Sequence, residues 1–187
     1  LSEKQINQYY EGYSNSILWP LFHYFYSFME YDDRDWKTYK LVNEKFYEEA
    51  SKIIRPGDIV WVQDYHLMLL PKLLRDGLKD VKIGYFHHVP FPSYELFRVL
   101  PERAEILRGL LGADLIGFHT SDYMRHFAST IYRVLKLDIK LDCVSLGHHK
   151  AYMNSFPMGI NYRLYHDTAL KPDVQKHISE LKRNYGK

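Results

Sequence analysis

Residues able to carry out polar chemistry stand where several short apolar segments of this sequence end. Asp64 follows one such segment, the pair His87-His88 follows a second, and His119 follows a third. A carboxylate can accept hydrogen bonds from hydroxyl groups or act as a base, and an imidazole can give or take a proton near neutral pH. Because the carboxyl ends of strands in an open α/β sheet converge on one ligand-binding crevice, we expect these side chains to lie close together.

Two interpretations of Asp64 stay open on position alone. It is either a functional carboxylate in the crevice or the cap of a helix that starts at Tyr65 and His66. The adjacent His87 and His88 point to opposite faces of an extended segment, so they do not chelate one metal together. One of them is expected to face the crevice while the other packs in the core, and His88 is the candidate for the crevice.

Neither a metal nor a cofactor is expected, although the chain has ten histidines. It contains no His-Glu-x-x-His motif and no paired cysteines, and His148 and His149 are expected to lie in an exposed loop. The chain also lacks a Gly-x-Gly-x-x-Gly motif after a strand and a Walker phosphate loop. Their absence argues against a dinucleotide-binding protein and against an ATPase.

The elements that must position these residues alternate between strand and helix from residue 59 onward. Predicted strands cover 59–63, 82–86 and 115–118, and predicted helices cover 66–76, 93–99, 101–111 and 121–136. This alternation predicts an α/β fold, a Rossmann-like domain with a mainly parallel sheet. The strands are apolar nearly throughout, which is typical of a sheet covered on both faces.

The segments on either side of this alternating region also have predicted secondary structure. The other predicted elements are a mostly helical, aromatic-rich segment at 4–31, a helix at 34–54, a hairpin and then a strand within 138–156, and a polar helix at 172–185. The predicted helix caps are Ser14-Asn15, Asp32-Asp33, and Ser121 or Asp122. Tyr10 and Trp19 lie in the aromatic segment, where such rings either fill a core or stack on sugars.

Length, charge and cysteine content limit the class of protein. The 187 residues suffice for one domain, and a net charge of +2 gives no electrostatic reason to bind nucleic acid. The single cysteine, Cys143, is typical of a reducing compartment. No signal peptide opens the sequence, and no apolar run approaches the ~18–20 residues that cross a bilayer. These features predict a cytoplasmic protein that does not bind membranes.

Several sequence strings together resemble the trehalose-6-phosphate synthases, glycosyltransferase family 20. The strings are Tyr9-Tyr10-Glu11-Gly12-Tyr13-Ser14-Asn15-Ser16-Ile17-Leu18-Trp19-Pro20, Val60-Trp61-Val62-Gln63-Asp64-Tyr65-His66-Leu67, His88-Val89-Pro90-Phe91-Pro92-Ser93, Glu105-Ile106-Leu107-Arg108-Gly109-Leu110-Leu111, Leu115-Ile116-Gly117-Phe118-His119-Thr120 and Phe156-Pro157-Met158-Gly159-Ile160. They cover nearly all of residues 8–162 in the family's order. Each string is weak evidence by itself, and the set is specific.

The resemblance implies a retaining glycosyltransferase of the GT-B fold, in which two Rossmann-like domains enclose the active site. The implied reaction moves glucose from UDP-glucose to glucose 6-phosphate and forms trehalose 6-phosphate, without a metal. Residues 1–187 would form a single, partial, acceptor-side domain. The family's first strand is expected to precede Leu1, and the donor domain that binds UDP-glucose is expected to follow residue 187. The chain alone is therefore expected to be inactive.

The resemblance also assigns residues. Tyr10 and Trp19 match positions that contact the acceptor glucose 6-phosphate, and Asp64 matches a carboxylate that binds acceptor hydroxyls. His88 matches a histidine near the donor glucose. Many members of the family carry His where this chain has Gln63, and little effect is expected because alternation turns that side chain to the other face of the strand from Asp64.

Three alternatives concern the activity and assembly of the protein. Some members of the family are non-catalytic proteins that sense sugar phosphates, and related synthases use another acceptor, such as glycerol 3-phosphate. A homo-oligomer is also compatible with the resemblance.

Overall fold

The computed structural model describes residues 1–147 and 149–186. Residues 1–157 form one compact unit, and a second unit begins at Met158. The predicted exposed position of His148 lies outside the described residues. His149 is half-buried, with its Nε2 2.7 Å from the carbonyl oxygen of Leu111, so the expectation that it lies exposed is wrong. The assignment of the whole chain to one partial domain stays a prediction.

The first unit is built on a six-stranded sheet with the order β1-β2-β3-β6-β5-β4. The strands are β1 (Ile59–Gln63), β2 (Lys82–His87), β3 (Leu115–Phe118), β4 (Ile139–Lys140), β5 (Cys143–Ser145) and β6 (Lys150–Ser155). Strands β1, β2, β3 and β6 run parallel, while β4 and β5 form an antiparallel hairpin that pairs with β6. This arrangement confirms the predicted α/β class with a mainly parallel sheet.

The helices follow the predicted alternation. They are α1 (Glu3–Ile6), a π-helix (Asn7–Leu18), α2 (Trp19–Phe22), a short 3₁₀ turn (Tyr26–Phe28), α3 (Asp33–Ser51), a 3₁₀ turn (Tyr65–Leu67), α4 (Leu70–Gly77), α5 (Tyr94–Phe97), α6 (Arg103–Leu110), α7 (Ser121–Leu135), α8 (Tyr162–Ala169) and α9 (Pro172–Tyr185). The last two make up the second unit, in which the side chain of Asn161 caps α8. Helix α8 has no counterpart among the predicted elements.

Aromatic side chains fill much of the core of the first unit. The largest of the fully buried ones are Tyr13, Tyr39, Tyr85, Phe22, Phe91, Phe97, Phe118 and Phe127. Phe91 contacts the rings of Phe22, Phe97, Phe118 and Phe127 at centroid separations of 5.0–6.1 Å. These contacts join α2, α5, β3 and α7, so the aromatic richness of the sequence is largely a property of its core.

Two of the predicted helix caps are wrong and one is confirmed. The π-helix runs through Ser14 and Asn15, and Ser14 is fully buried inside it rather than standing at a helix start. Helix α7 is capped by Thr120, one residue before the predicted positions, and its hydroxyl accepts from the amide of Tyr123. Asp32 caps α3 as predicted, since its carboxylate accepts from the amide of Arg34 at 2.8 Å.

One face of the sheet is less covered than the apolar strands predicted. The register places Trp61 beside Gly84, Gly84 beside Leu115, and Leu115 beside Tyr152, all on one face. Among the described residues nothing buries this row, and Trp61 remains 69% exposed. The expectation of cover on both faces is therefore wrong for this part of the sheet.

Candidate functional site

Asp64 stands at a sharp change of direction after β1. Its amide still donates to the carbonyl of Phe86 at 2.8 Å, as in the ladder with β2, and then the backbone turns with φ 64° and ψ 176°. The carboxylate makes no capping bond to the 3₁₀ turn that follows. Instead, its Oδ1 accepts from the backbone amide of His88 at 3.1 Å. The capping interpretation of Asp64 is therefore wrong, and the carboxylate spans the ends of β1 and β2.

Buried polar side chains of α3 fix the turn that begins at Asp64. The hydroxyl of Tyr39 donates to the carbonyl of Tyr65 at 2.7 Å and accepts from the amide of Met68 at 3.0 Å. The amide group of Asn43 donates to the carbonyl of His66 at 3.2 Å. Because these bonds tie backbone groups of the turn to side chains of α3, they hold the turn in one conformation.

Tyr10 and Trp19 both pack against the residues that follow Asp64. The ring of Tyr10 stacks on His66 at 5.4 Å and 12°, and the ring of Trp19 lies 5.8 Å from that of Tyr65. The rings of Tyr65 and His66 are themselves 4.1 Å apart. Tyr10 and Trp19 are each 45% exposed, so each ring keeps free surface for a ligand.

The π-helix explains how residues nine positions apart reach the same pair of rings. In an α-helix with 3.6 residues per turn, nine residues make about two and a half turns, which would place Tyr10 and Trp19 on opposite sides. A helix with i→i+5 bonds has roughly 4.4 residues per turn, so nine residues make about two turns. The amide of Trp19 donates to the carbonyl of Ser14, the i→i−5 bond that this winding requires.

The groups around Asp64 on this side stay neutral near pH 7. Burial lowers the pKa of His66 from its usual 6.5, although the Asp64 carboxylate acts in the opposite direction. Burial, together with the negative charge of Asp64 and the proximity of Tyr10, raises the pKa of Tyr65 to about 12. The carboxylate of Asp64 therefore stands beside uncharged aromatic rings, an arrangement suited to a neutral, hydroxyl-rich ligand such as a sugar.

The two adjacent histidines differ as alternation predicts. His87 is fully buried among the rings of Phe22, Phe91 and Phe118, and its Nδ1 lies 3.0 Å from the hydroxyl of Tyr85. His88 is exposed at the carboxyl edge of the sheet. The prediction that one packs and the other faces outward is confirmed, and His88 is the exposed one.

Gln63 contacts His88, which the sequence reasoning missed. Its Oε1 lies 2.7 Å from Nε2 of His88. The register sets Gln63 beside Phe86, and His88 stands two residues beyond Phe86, so both side chains are on the same face. This contact follows from the register between β1 and β2, which the sequence alone does not give. The expectation that Gln in place of His at position 63 has little effect stays a prediction.

His119 also reaches this edge, at the end of β3. Its ring lies 5.6 Å from that of His88 and 5.1 Å from that of Phe86. The structure thus brings Asp64, His88 and His119 to the carboxyl edge of neighbouring parallel strands, as expected from topology. The chemical roles of Tyr10, Trp19, Asp64 and His88 stay predictions.

Residues 1–147 and 149–186 show neither a candidate metal centre nor a helix that could span a membrane. Within these ranges no group of three histidine, cysteine, aspartate or glutamate side chains is arranged to hold a metal ion. Over the same part of the chain, no helix combines the length and the apolar character required to cross a bilayer.

Comparison with known proteins gives consistent matches. The α,α-trehalose-phosphate synthase (UDP-forming) A of Dictyostelium discoideum is 45% identical over 99% of this chain, which covers 25% of that protein. A Burkholderia xenovorans α,α-trehalose-phosphate synthase, solved in complex with glucose-6-phosphate, superposes with a TM-score of 0.84 at 28% identity, covering 97% of this chain and 42% of that one. The N-terminal domain of Candida albicans trehalose-6-phosphate phosphatase superposes with a TM-score of 0.83 at 35% identity, covering 98% of this chain and 40% of that one.

These relatives match nearly all of this chain, but the chain covers only part of each relative. The chain spans between about a quarter and two fifths of the length of these relatives. The sequence profile of glycosyltransferase family 20 matches residues 1–187. The sheet order, the site at its carboxyl edge and this full-length match agree, and the chain belongs to glycosyltransferase family 20.

Proposed function

We propose that this chain is the acceptor-binding half of a retaining glycosyltransferase. The complete protein would transfer glucose from UDP-glucose to the anomeric hydroxyl of glucose 6-phosphate, forming trehalose 6-phosphate and UDP. UDP-glucose would be held mainly by a C-terminal donor domain. Neither a metal nor a cofactor is part of the proposal.

The observation that carries the proposal is the surroundings of Asp64. Its carboxylate accepts from the backbone amide of His88, and the half-exposed rings of Tyr10 and Trp19 pack on the two residues that follow it, His66 and Tyr65. A carboxylate accepts hydrogen bonds from sugar hydroxyls, and aromatic rings with free faces pack against the C–H surface of a sugar. A charged group among neutral rings, on a fixed turn, suits a hydroxyl-rich acceptor.

Each residue has a distinct role in this proposal. Tyr10 and Trp19 contact glucose 6-phosphate, Asp64 orients its hydroxyls close to the reacting centre, and His88 lies beside the donor glucose. Asp64 and His88 act by orienting and stabilising the reacting groups, and neither forms a covalent intermediate. Fixed orientation of this kind lowers a barrier by up to ~7–11 kcal/mol in favourable cases.

The relatives support the synthase reaction over the alternatives. The Dictyostelium synthase is 45% identical to this chain, and a synthase of the same fold has been solved with glucose-6-phosphate. One observation favours a second candidate: the Candida domain that matches at 35% identity belongs to a phosphatase. A protein that binds a sugar phosphate through this domain without transferring glucose is therefore the alternative function.

Turnover by the full-length protein separates these candidates. We expect release of UDP and formation of trehalose 6-phosphate, identified by mass spectrometry, when UDP-glucose and glucose 6-phosphate are supplied together. Binding of glucose 6-phosphate in a calorimetric titration without any turnover would support the sensing function instead. Binding and turnover with glycerol 3-phosphate in place of glucose 6-phosphate would identify another acceptor.

The 187-residue chain provides a second comparison. We expect it to have negligible transferase activity by itself, because the proposal assigns most donor contacts to another domain. UDP-dependent turnover by this chain, free of any longer protein, would contradict the division of labour between two domains. A cytoplasmic location and assembly into homo-oligomers belong to the proposal and are tested by fractionation and by light scattering.

A further inference from the structure

The contact between Gln63 and His88 is the only hydrogen bond that a His88 ring nitrogen makes with residues 1–147 and 149–186. Oε1 of Gln63, the last residue of β1, lies 2.7 Å from Nε2 of His88. The backbone on either side of the contact is fixed, because β1 and β2 pair in parallel up to Gln63 and Phe86. Gln63 therefore extends from the end of a strand, while His88 directly follows β2 and has its backbone amide held by Asp64.

Ring contacts restrict His88 further. The rings of Phe86 and His119 lie 4.7 Å and 5.6 Å from it, at 51° and 60°. Its backbone amide is held by Asp64 at 3.1 Å. With Nε2 engaged by Gln63, Nδ1 is the ring nitrogen left without a hydrogen-bond partner within the described ranges.

The chemistry of the amide oxygen determines which nitrogen carries the proton. An amide oxygen only accepts hydrogen bonds, so Nε2 of His88 donates, and in the neutral imidazole Nδ1 carries the lone pair. Nδ1 then accepts from a hydroxyl group of a ligand. If the ring takes up a proton, Nδ1 becomes a donor instead.

Charges near the His88 ring come from few groups. Asp64 faces it from the end of β1, His87 adjoins it on β2, and His119 faces it from the end of β3. His87 is buried and neutral at pH 7, because burial lowers its pKa to about 4. Gln63, which is uncharged, holds the ring without adding a second negative charge beside that of Asp64.

We propose that Gln63 is a positioning residue that fixes the orientation and the tautomer of His88, leaving Nδ1 as the nitrogen that meets the sugar. This inference rests on the proposed function, since it specifies how His88 is presented to the substrates. It assigns Gln63 an indirect part, because its side chain acts through His88.

Two substitutions in the full-length protein separate hydrogen bonding from packing. Gln63→Leu keeps a side chain of similar size and removes the acceptor, while Gln63→Glu keeps an acceptor and adds a charge. Gln175→Leu, the same change on an exposed helix, is the matched control. The His88 signals are identified by their loss in His88→Asn.

The tautomer is measured directly by ¹⁵N spectroscopy of histidine-labelled protein. We expect Nε2 of His88 to be the protonated nitrogen in the parent protein and in Gln63→Glu, and a mixture of tautomers in Gln63→Leu. An unchanged tautomer in Gln63→Leu would overturn the proposal.

Steady-state kinetics give the second readout. Gln63→Leu should lower kcat about 10-fold while KM for glucose 6-phosphate changes less than about 2-fold, since orientation affects the reacting state more than binding. Gln63→Glu, which keeps an acceptor for Nε2 of His88, should lower kcat less than Gln63→Leu does. Equal losses of kcat in both variants would indicate packing alone and overturn the proposal.

The two readouts distinguish failure of this inference from failure of the proposed function. A parent protein without transferase activity, but with the expected tautomer and its loss in Gln63→Leu, would leave the positioning of His88 intact and remove the synthase reaction. An active parent protein whose His88 tautomer does not change in Gln63→Leu would support the synthase reaction and overturn the positioning role of Gln63.

Discussion

The two edges of the parallel sheet differ in whether their polar side chains are hydrogen-bonded within the protein. At the amino edge, Asp114 precedes β3, and its Oδ2 accepts from the amide of Ile83 at 2.7 Å and from Arg75 at 2.5 Å. The same guanidinium donates to the carbonyls of Gly112 and Val81. At the carboxyl edge, Asp64 and His88 each keep polar atoms free of partners among the described residues. Polar groups are bound to one another at the first edge and are available to a ligand at the second.

The α4 and α6 segments pack closely against each other. A Cβ at Gly109 would lie 2.4 Å from the carbonyl oxygen of Met68, and one at Gly112 would lie 2.3 Å from the amide nitrogen of Lys72. Helices α4 and α6 thus approach with no room for a side chain at these positions. The conspicuous string around Gly109 is explained by helix packing and not by chemistry.

Backbone strain differs between Asp64 at the carboxyl edge and Lys136 at the end of α7. At Asp64, φ 64° with ψ 176° belongs to a region that glycine occupies almost exclusively. Lys136, with φ 58° and ψ 32°, has the ordinary left-handed conformation of a helix end. Asp64 therefore holds a more costly backbone conformation than Lys136, at the point where its carboxylate is presented at the carboxyl edge.

The largest expected effect concerns activity at the carboxyl edge. Asp64→Asn in the full-length protein should lower kcat at least ~100-fold, the order found for a positioned polar group at a reacting centre. The free energy of unfolding should change little, because the carboxylate is half-exposed. The measurement is steady-state UDP release, with Asp76→Asn at the other edge as the matched control. A loss of only a few-fold would assign Asp64 a structural role.

The second effect is a pH dependence of stability that originates in His87. Burial lowers its pKa from 6.5 to about 4, so between these values the unfolded chain binds a proton that the folded chain does not. Its contribution to stability is complete above pH ~6.5 and falls by about 2 kcal/mol between pH 7 and pH 5. His87→Phe, which suits the surrounding rings, should flatten this dependence in urea unfolding. His166→Phe on exposed α8 should leave it unchanged, and equal slopes for all three proteins would contradict the assignment.

The third effect tests the packing between the α4 and α6 segments. Gly109→Ala should lower the free energy of unfolding by about 1–2 kcal/mol, because the added methyl group displaces backbone of the α4 segment while the helix propensity of alanine offsets part of the cost. Turnover per folded molecule should not change. Gly159→Ala, where a Cβ meets nothing within 4 Å, is the control in the same denaturation experiment. Equal midpoints for both variants would show that α4 and α6 adjust freely.

The smallest expected effect is an increase in the free energy of unfolding, where the preceding variant lowers it. Asp64→Gly should raise the free energy of unfolding by about 1 kcal/mol, because glycine relieves the strained backbone, while abolishing transfer. Lys136→Gly should give a smaller gain, since its conformation is less costly. A destabilised Asp64→Gly variant would mean that the contact with the His88 amide outweighs the strain.

The sheet was predictable from the sequence because its strands are apolar runs that end at polar residues. The bounds 59–63 and 115–118 match the structure, and the polar residues after them do lie at one edge. The capping of α3 by Asp32 was equally local, since it depends on one side chain and the amide two residues later.

The winding of the N-terminal helix was not predictable in this way. The residue types at 7–18 do not distinguish a π-helix from an α-helix, and Ser14-Asn15 has the composition of a cap. The π-helix depends on packing: Tyr13 and Ile17 are fully buried in the core that contains Trp36 and Tyr39 of α3. Gln63 was missed for a related reason, because its contact with His88 depends on the register between two strands.

The poorly covered row of Trp61, Leu115 and Tyr152 has a thermodynamic consequence for these 187 residues by themselves. Apolar surface that is already hydrated in the native state adds nothing when the chain unfolds. The heat-capacity increment and the denaturant m-value both scale with newly exposed area, so each should be smaller than chain length alone suggests. Any molecule that covers the row would steepen the unfolding transition as well as shift its midpoint.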